Sequence, residues 1–405
     1  MDTIEVPPYF LCPISLQIMR DPVTVCTGIS YDRESMEKWI YTYKNTSCPV
    51  TNQTLSDQEL TPNHTLRRLI QAWCTANSSN GIERFPTPKP PVCLERVNQL
   101  LAVARLNDPK LSSLRELRDL AIASEMNRRR IGSAGAIPVM AHLILGQKDR
   151  GDESMATIEE ALSIIHVLQV LEDTVKSIVA SDNGAFIDSL SWVLLNGSYR
   201  SRLYSVSILK TVLKLVEPTI ITSLKPELFR AMVRVMNNQV SSQATKCVLQ
   251  ILMEVCSLGR NRVKACEEGA MPVIIQMLIE STERRERELL LGVLDLLCGC
   301  AEGRAELLRH GAGVAVVSKK IFRVSTTATE RAVKILWSLC KYSATHGVLM
   351  EMLNIGAVSK LCMVVQTDCS FKAKEKAKEA LRMHAKTWKS SPCVPSHLLS
   401  AFSIH

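Results

Sequence analysis

Five apolar hexamers recur along the C-terminal part of this chain, VLQVLE at Val167, LKTVLK at Leu209, ILMEVC at Ile251, VLDLLC at Val293 and ILWSLC at Ile335, at a constant spacing of 42. No other feature restricts the fold as much. The apolar spacing there is helical throughout, so each unit leaves a face that only the next unit can cover, and the expected architecture is an α-solenoid. A Gly-Ala pair at a helix junction marks the period a second time, at Gly135, Gly184, Gly269, Gly311 and Gly356. Its gaps of 49, 85, 42 and 45 leave one copy missing near Lys225-Pro226, and both markers give about six repeats over residues 92–388.

With 405 residues and 46% hydrophobic content, the chain has material for two or three domains. No apolar stretch approaches the roughly 20 residues that span a bilayer, and the N-terminus lacks a basic region followed by an apolar one. A soluble, intracellular protein is expected, cytoplasmic or nuclear. The 14 cysteines follow no framework spacing and read as reduced, small apolar residues. Cys256, Cys298 and Cys340 share one repeat position, but a solenoid turn of roughly 10 Å between neighbours is too long for disulfide or zinc geometry. They are expected to be packing residues.

The net charge of +9 is uneven: residues 1–76 hold six basic and eight acidic residues, hence −2, and the remainder carries +11. Its positive residues alternate with Glu and Asp instead of forming a stripe interleaved with aromatics. The final helix, Lys372 to Lys389, is strongly basic, and a capping helix with a solvated face is weighed there above contact with acidic lipid or a partner. A solvated helical surface is the expectation, with no nucleic acid as partner.

The first seventy-odd residues break the helical pattern. The run FLCPISLQIMRDPVTVCTGISYDRESMEKWI, Phe10 to Ile40, has the outline of a RING finger. A zinc RING needs paired Cys and His so that four ligands converge on each ion. Here Cys12, Cys26, Cys48, Cys74 and His64 are widely separated, so neither metal nor cofactor is expected. Pro7 and Pro8 suggest an extended lead-in, Asp21-Pro22-Val23 opens a strand with Val23 and Val25 on one face, and Thr27-Gly28 supplies the turn back. Asp32 is placed to cap a helix whose Met36, Trp39, Ile40 and Tyr43 share a face. Pro62-Asn63 starts another, with Leu66, Leu69, Ile70 and Trp73 at the same spacing. This gives a module over 1–76, a Pro-, Ser- and Gly-rich linker over 77–91, the solenoid over 92–388 and a flexible tail over 389–405.

The ordered elements Cys12-Pro13-Ile14, Asp21-Pro22-Val23, Gly28-Ile29-Ser30-Tyr31-Asp32-Arg33, Trp39-Ile40, Cys48-Pro49-Val50-Thr51 and the run from Thr61 to Ile70 resemble the U-box, the zinc-free relative of the RING finger. The resemblance implies an α+β module that docks a ubiquitin-conjugating enzyme, braced by polar contacts where a RING has zinc. Asp21, Asp32, Arg33, Asn63 and Arg67 are the bracing candidates, with Asp57 and Glu59 beside them. It further implies that Ile14 and Pro49 form the docking groove, with Leu16 and Trp39 as neighbours. Plain core packing is the competing role, and it suits Trp39 better than the loop residues.

The implied chemistry is non-covalent: the conjugating enzyme carries ubiquitin as a thioester, a substrate lysine attacks it, and the ligase holds that thioester in a reactive pose. A thiol relay through Cys12, Cys26 or Cys48 competes, but no basic neighbour is placed to lower a thiol pKa. One departure stands out. Where many RING-type ligases set a cation against ubiquitin, this chain has Asn52, with Lys44 nearby.

The solenoid resembles armadillo repeats, given Gly135-Ala136-Ile137-Pro138 and Gly269-Ala270-Met271-Pro272. Grooves of that family clamp peptides with an Asn ladder on the third helix, yet the aligned positions are Val170, Val212, Glu254, Leu296 and Ser338. An apolar or irregular docking patch for a protein substrate is therefore expected. The polar insertion Gln147 to Glu153 and the turn Glu283 to Glu288 are expected at the surface. The domain order resembles plant U-box/armadillo ubiquitin ligases, which implies self-ubiquitination, self-association and roles in defence and stress signalling. A non-catalytic scaffold whose U-box has lost its partner is the alternative.

Overall fold

The computed structural model describes residues 6–57, 59–78, 92–106, 109–146, 151–169, 184–238 and 241–389. Most of the linker, Val170, the insertion up to Arg150 and the tail past Lys389 lie outside them. The chain divides into two compact units, residues 1–98 with 119–134, and 99–118 with 135–405. Among the described residues no single helix is long and apolar enough to cross a membrane.

In the first unit Pro8–Phe10 forms a short 3-10 helix in place of the expected extended lead-in. A proline at a helix start already has the required φ and forfeits no bond. The hairpin follows as expected: β1 (Pro22–Thr24) pairs antiparallel with β2 (Ser30–Asp32), Val23 opposite Tyr31. Val23 and Val25 are both buried, and Gly28 turns the chain at φ 80°. β3 (Thr61–Pro62) joins the other edge of β1, for a sheet order β2-β1-β3. Helix α1 (Arg33–Glu37) widens into a π-helical turn over Lys38–Thr42. That extra residue per turn rotates Tyr43 off the buried face. Met36 and Ile40 stay in the core while Tyr43 is 69% exposed, contrary to the regular helical spacing. Helix α2 (His64–Ala76) starts where Asn63 caps it, its side chain accepting from the Leu66 N–H at 3.0 Å. It buries Ile70 and Cys74 with Leu66 and Trp73 packed alongside, and Leu69 faces solvent.

The second unit is helical. Its longest helices, 151–168, 199–215, 242–255, 284–297, 326–342 and 371–383, follow the hexamer period and stack consecutively. Polar bonds at separations near the repeat length tie neighbours together: Lys264 to the Leu224 carbonyl, Ser338 to the Cys298 carbonyl and Lys360 to the Ser318 carbonyl, 40, 40 and 42 positions apart. Gly135, Gly184, Gly269 and Gly356 all have positive φ, as a tight helix entry requires. Gly311 does not. There the next helix begins at Gly313, whose missing Cβ lets the backbone close on the Leu307 carbonyl. At the missing copy Pro226 begins the helix Pro226–Asn237 instead.

Cys256, Cys298 and Cys340 are buried, at most 2% exposed, as packing residues should be. The supposed ladder positions are not an open row: Val212 and Ser338 are buried. A fully buried asparagine lies elsewhere, on the short helix Gly259–Glu267. Asn261 is 0% exposed and donates to the carbonyls of Ile221 and Val255 at 2.8 and 2.9 Å. It grips the chain itself, not a bound peptide. Asn261→Leu, which removes both of these donated bonds from the buried junction, is expected to destabilise the solenoid by about 2 to 3 kcal/mol, read as a lower melting temperature of the full chain.

Candidate functional site

Two loops of the first unit are built alike, Cys12-Pro13-Ile14-Ser15-Leu16-Gln17 and Cys48-Pro49-Val50-Thr51-Asn52-Gln53. In each, the cysteine N–H donates to the glutamine carbonyl at 2.8 Å, and the fifth residue returns its N–H to the cysteine carbonyl, at 2.8 Å for Leu16 and 2.9 Å for Asn52. These fifth residues are left-handed, φ 56° and 57°. Antiparallel bridges, Leu11 with Ile18 and Ser47 with Thr54, clamp the loop stems.

That geometry turns each cysteine inward and the middle of each loop outward. Cys12 and Cys48 are both 0% exposed, whereas Leu16 is 75% and Val50 51% exposed. Ile14 and Pro49 are half-buried, and Ile14 also packs against the core. Trp39 is half-buried and donates its indole N–H to the Ser47 carbonyl at 2.8 Å, so it holds the second loop against the helix. Val50 went unrecognised in the sequence. The signal was there: Val50 occupies the place of Ile14 in a repeated Cys-Pro-x-x-x-Gln pattern.

Polar contacts secure both loops. The Asp21 carboxylate accepts from Arg33 at 2.6 Å and meets Arg67 at 3.5 Å, each side chain no more than 20% exposed. The Asp32 carboxylate does not cap its own helix; it accepts the N–H groups of Arg20 and Asp21 at 2.8 and 3.0 Å. Asn63 joins the sheet to α2, donating to Thr24 and Ser30 at 3.4 and 3.3 Å. The Asp57 carboxylate accepts the Glu59 N–H at 3.0 Å, and its backbone hydrogen-bonds the Cys26 thiol. Buried sulfurs serve as further acceptors. The Asp32 N–H points at Cys12 Sγ, while Thr27 and Tyr31 hydroxyls contact Cys48 Sγ at 3.3 and 3.0 Å. Among the described residues, no three His, Cys, Asp or Glu side chains are arranged to hold a metal ion.

Two thiols are lowered after all, by hydroxyl and backbone donors rather than a cation. Against the upward push of burial, hydrogen bonds from Thr27, Thr51 and Tyr31 bring Cys48 down to about 6, yet it is sealed from solvent. Cys26, exposed at the hairpin turn, is lowered chiefly by the Ser56 side chain. Burial pushes Tyr31 upward, keeping its hydroxyl neutral. Asn52 and Lys44 are exposed and left-handed, so Asn52 presents a neutral amide beside the outward loop.

Behind the helix, Glu37 is 5% exposed with Oε1 lacking a hydrogen-bond partner among the described residues. Burial raises its pKa, opposed by Arg33 and Arg129 and reinforced by Glu125 and Asp21; Arg129, from the helix Glu125–Ser133 of the same unit, stacks over the Tyr41 ring. A carboxyl raised in the folded state stabilises fully below its unfolded value, about 4.3, and that stabilisation is lost as pH rises through the folded value. Wild-type protein is therefore expected to exchange amides of residues 33–43 faster at pH 8 than intrinsic rates predict from pH 5, and Glu37→Gln to narrow that difference.

Comparison with known proteins finds two families that match this chain. The U-box domain family matches residues 6–79 and the plant U-box protein ARM repeat region matches residues 95–404. E3 ubiquitin-protein ligase PUB23 of Arabidopsis thaliana is 45% identical over 407 aligned residues, covering 99% of this chain and 98% of that protein. E3 ubiquitin-protein ligase PUB22 of the same plant is 44% identical, covering 98% and 99%. A structure from work on a phosphorylation switch between cadherin and beta-catenin shares the fold at a TM-score of 0.61 and 13% identity, covering 84% of this chain and 62% of that one. The chain belongs to the plant U-box E3 ubiquitin ligases with an armadillo-repeat region.

Proposed function

We propose that Ile14, Leu16, Pro49 and Val50 form the surface that docks a ubiquitin-charged conjugating enzyme. The observation that carries this reading is the outward pair, Leu16 at 75% and Val50 at 51% exposure, on two loops of matched geometry. Apolar side chains so presented are anchors for a partner, because a small module gains nothing from leaving them in water. The conjugating enzyme's thioester carbonyl is then attacked by a substrate lysine amine, and its cysteine leaves as thiol. This chain contributes position: rigid loops fix the thioester while the solenoid brings the protein substrate near. Asn52 can add a hydrogen bond to ubiquitin. Self-ubiquitination and self-association belong to the same reading, as do defence and stress signalling, which rest on the family resemblance alone.

Cytoplasm or nucleus is the compartment proposed, in keeping with described cysteines that are all free. A fluorescent fusion tests it. Ligase function is tested by incubating the full chain with ubiquitin, activating enzyme and a panel of conjugating enzymes. Ubiquitin chains on the protein are expected with at least one of them. Silence across the panel supports the scaffold reading, and loss of transfer in Cys26→Ser would support a thiol relay.

A further inference from the structure

The sequence pattern treats the solenoid cysteines as filler, but one junction between repeats gathers four of them. Cys256 and Cys298 follow the ends of the helices 242–255 and 284–297; Cys266 lies in the short helix Gly259–Glu267, and Cys300 caps the start of Ala301–Arg309. These two short helices pack together. Their sulfurs meet over Gly303: its N–H donates to Cys300 Sγ at 3.4 Å, and a Cβ placed on it would lie 3.3 Å from Cys266 Sγ. The Cys266 and Cys300 thiols lie within interacting reach of each other, and the Cys300 thiol also donates to the Leu297 carbonyl at 3.2 Å.

The four are not equivalent. Cys256, Cys266 and Cys298 are at most 5% exposed, whereas Cys300 reaches the surface in part. The Cys266 hydrogen bond lowers the Cys300 thiol, and the Gly303 N–H does so too; burial and the Glu302 carboxylate oppose them. Donating that bond pushes Cys266 upward, and burial adds to the push; burial likewise raises Cys256 and Cys298. One thiolate-prone sulfur and one protonated neighbour thus lie against the same glycine, Gly303, across a repeat boundary.

We propose that Cys300 is a hydroperoxide-reactive thiol and that Cys266 resolves it, closing a reversible disulfide between successive repeats. In the first step Cys300 thiolate attacks a peroxide oxygen; an S–O bond forms, the O–O bond breaks, and the released hydroxide takes up a proton to become water. Cys266 sulfur then attacks Cys300 sulfur. The S–S bond forms, the S–O bond breaks, and the departing hydroxide leaves as water with the Cys266 proton. The two sulfurs together give up two electrons, and hydrogen peroxide becomes two waters. To form the bond the two sulfurs have to close to roughly 2 Å. The product ties the helix Gly259–Glu267 to the start of Ala301–Arg309, stiffening that junction.

The test treats the full chain with a low excess of hydrogen peroxide, alkylates remaining thiols and maps peptides by mass spectrometry. A Cys266–Cys300 disulfide that dithiothreitol reverses is expected, with the solenoid melting several degrees higher when oxidised. Cys266→Ser should accumulate a sulfenic acid at Cys300 that dimedone traps. Cys300→Ser, whose hydroxyl preserves the helix cap, should lose both products while melting like the reduced wild type. The proposal is overturned if Cys26 and Cys93 oxidise while Cys266 and Cys300 remain alkylatable, or if Cys300 bonds to Cys298 instead.

Discussion

Leu16→Ala is expected to slow discharge of the charged conjugating enzyme by about 30-fold, the consequence of losing one apolar anchor worth about 2 kcal/mol, with the melting of the chain unchanged. Leu16 is the clean probe because its side chain stands 75% exposed and outside the core cluster. Ile14→Ala should abolish transfer as well, but Ile14 packs against the core, so that variant also loses about 1 to 2 kcal/mol of module stability. Single-turnover assays with wild type, Leu16→Ala and Val50→Ala separate the effects. Unimpaired transfer by a Leu16→Ala, Val50→Ala double variant would remove the docking surface from these loops.

Asp21→Ala should unfold the U-box within an otherwise folded chain. Its carboxylate serves both Arg33 and Arg67, and all three side chains are at most 20% exposed. Removing it leaves two partly buried cations without their shared acceptor, at a cost of roughly 3 kcal/mol. A module this small has little more than that to lose. Hydrogen exchange should show peptides from residues 10–76 losing protection together while the solenoid keeps its own, and ubiquitin transfer should vanish. The exposed pair Lys38–Glu34, with side chains 59% and 76% exposed, is the control. Lys38→Ala is expected to change stability by less than about 0.5 kcal/mol. A folded, active Asp21→Ala protein would mean that the hydrogen bonds of Asp32 and Asn63 suffice as braces.

The solenoid was legible because its signal is periodic: Leu209, Ile251 and Val293, 42 positions apart, all bury their side chains as the same face recurs. The hairpin and the Asn63 cap were legible because turn and cap chemistry is local. Tyr43 and Leu69 were misread for one reason. Helical spacing assumes a regular turn and a fully covered face, while α1 widens and α2 presents only one side to the core. Among the bracing candidates, the sequence supplied the residue types and the fold chose the pairs. Asp32 reads as a cap by position, yet backbone amides 11 and 12 positions earlier claim its carboxylate. No local rule reaches so far along a chain. The Cys266 and Cys300 contact is hidden for the same reason, since the register of repeat packing decides it.

The left-handed backbone at Leu16 has a consequence for any attempt to improve this protein. Asn52, its counterpart in the twin loop, tolerates that conformation, whereas a leucine gives up about 1 kcal/mol to hold it. Asn or Gly at position 16 therefore relaxes the backbone while erasing an anchor. A laboratory selection for heat resistance alone would accept such a change and return a sturdier chain that no longer recruits its enzyme. Thermostable variants of this U-box have to be screened for transfer at every round, with position 16 held fixed.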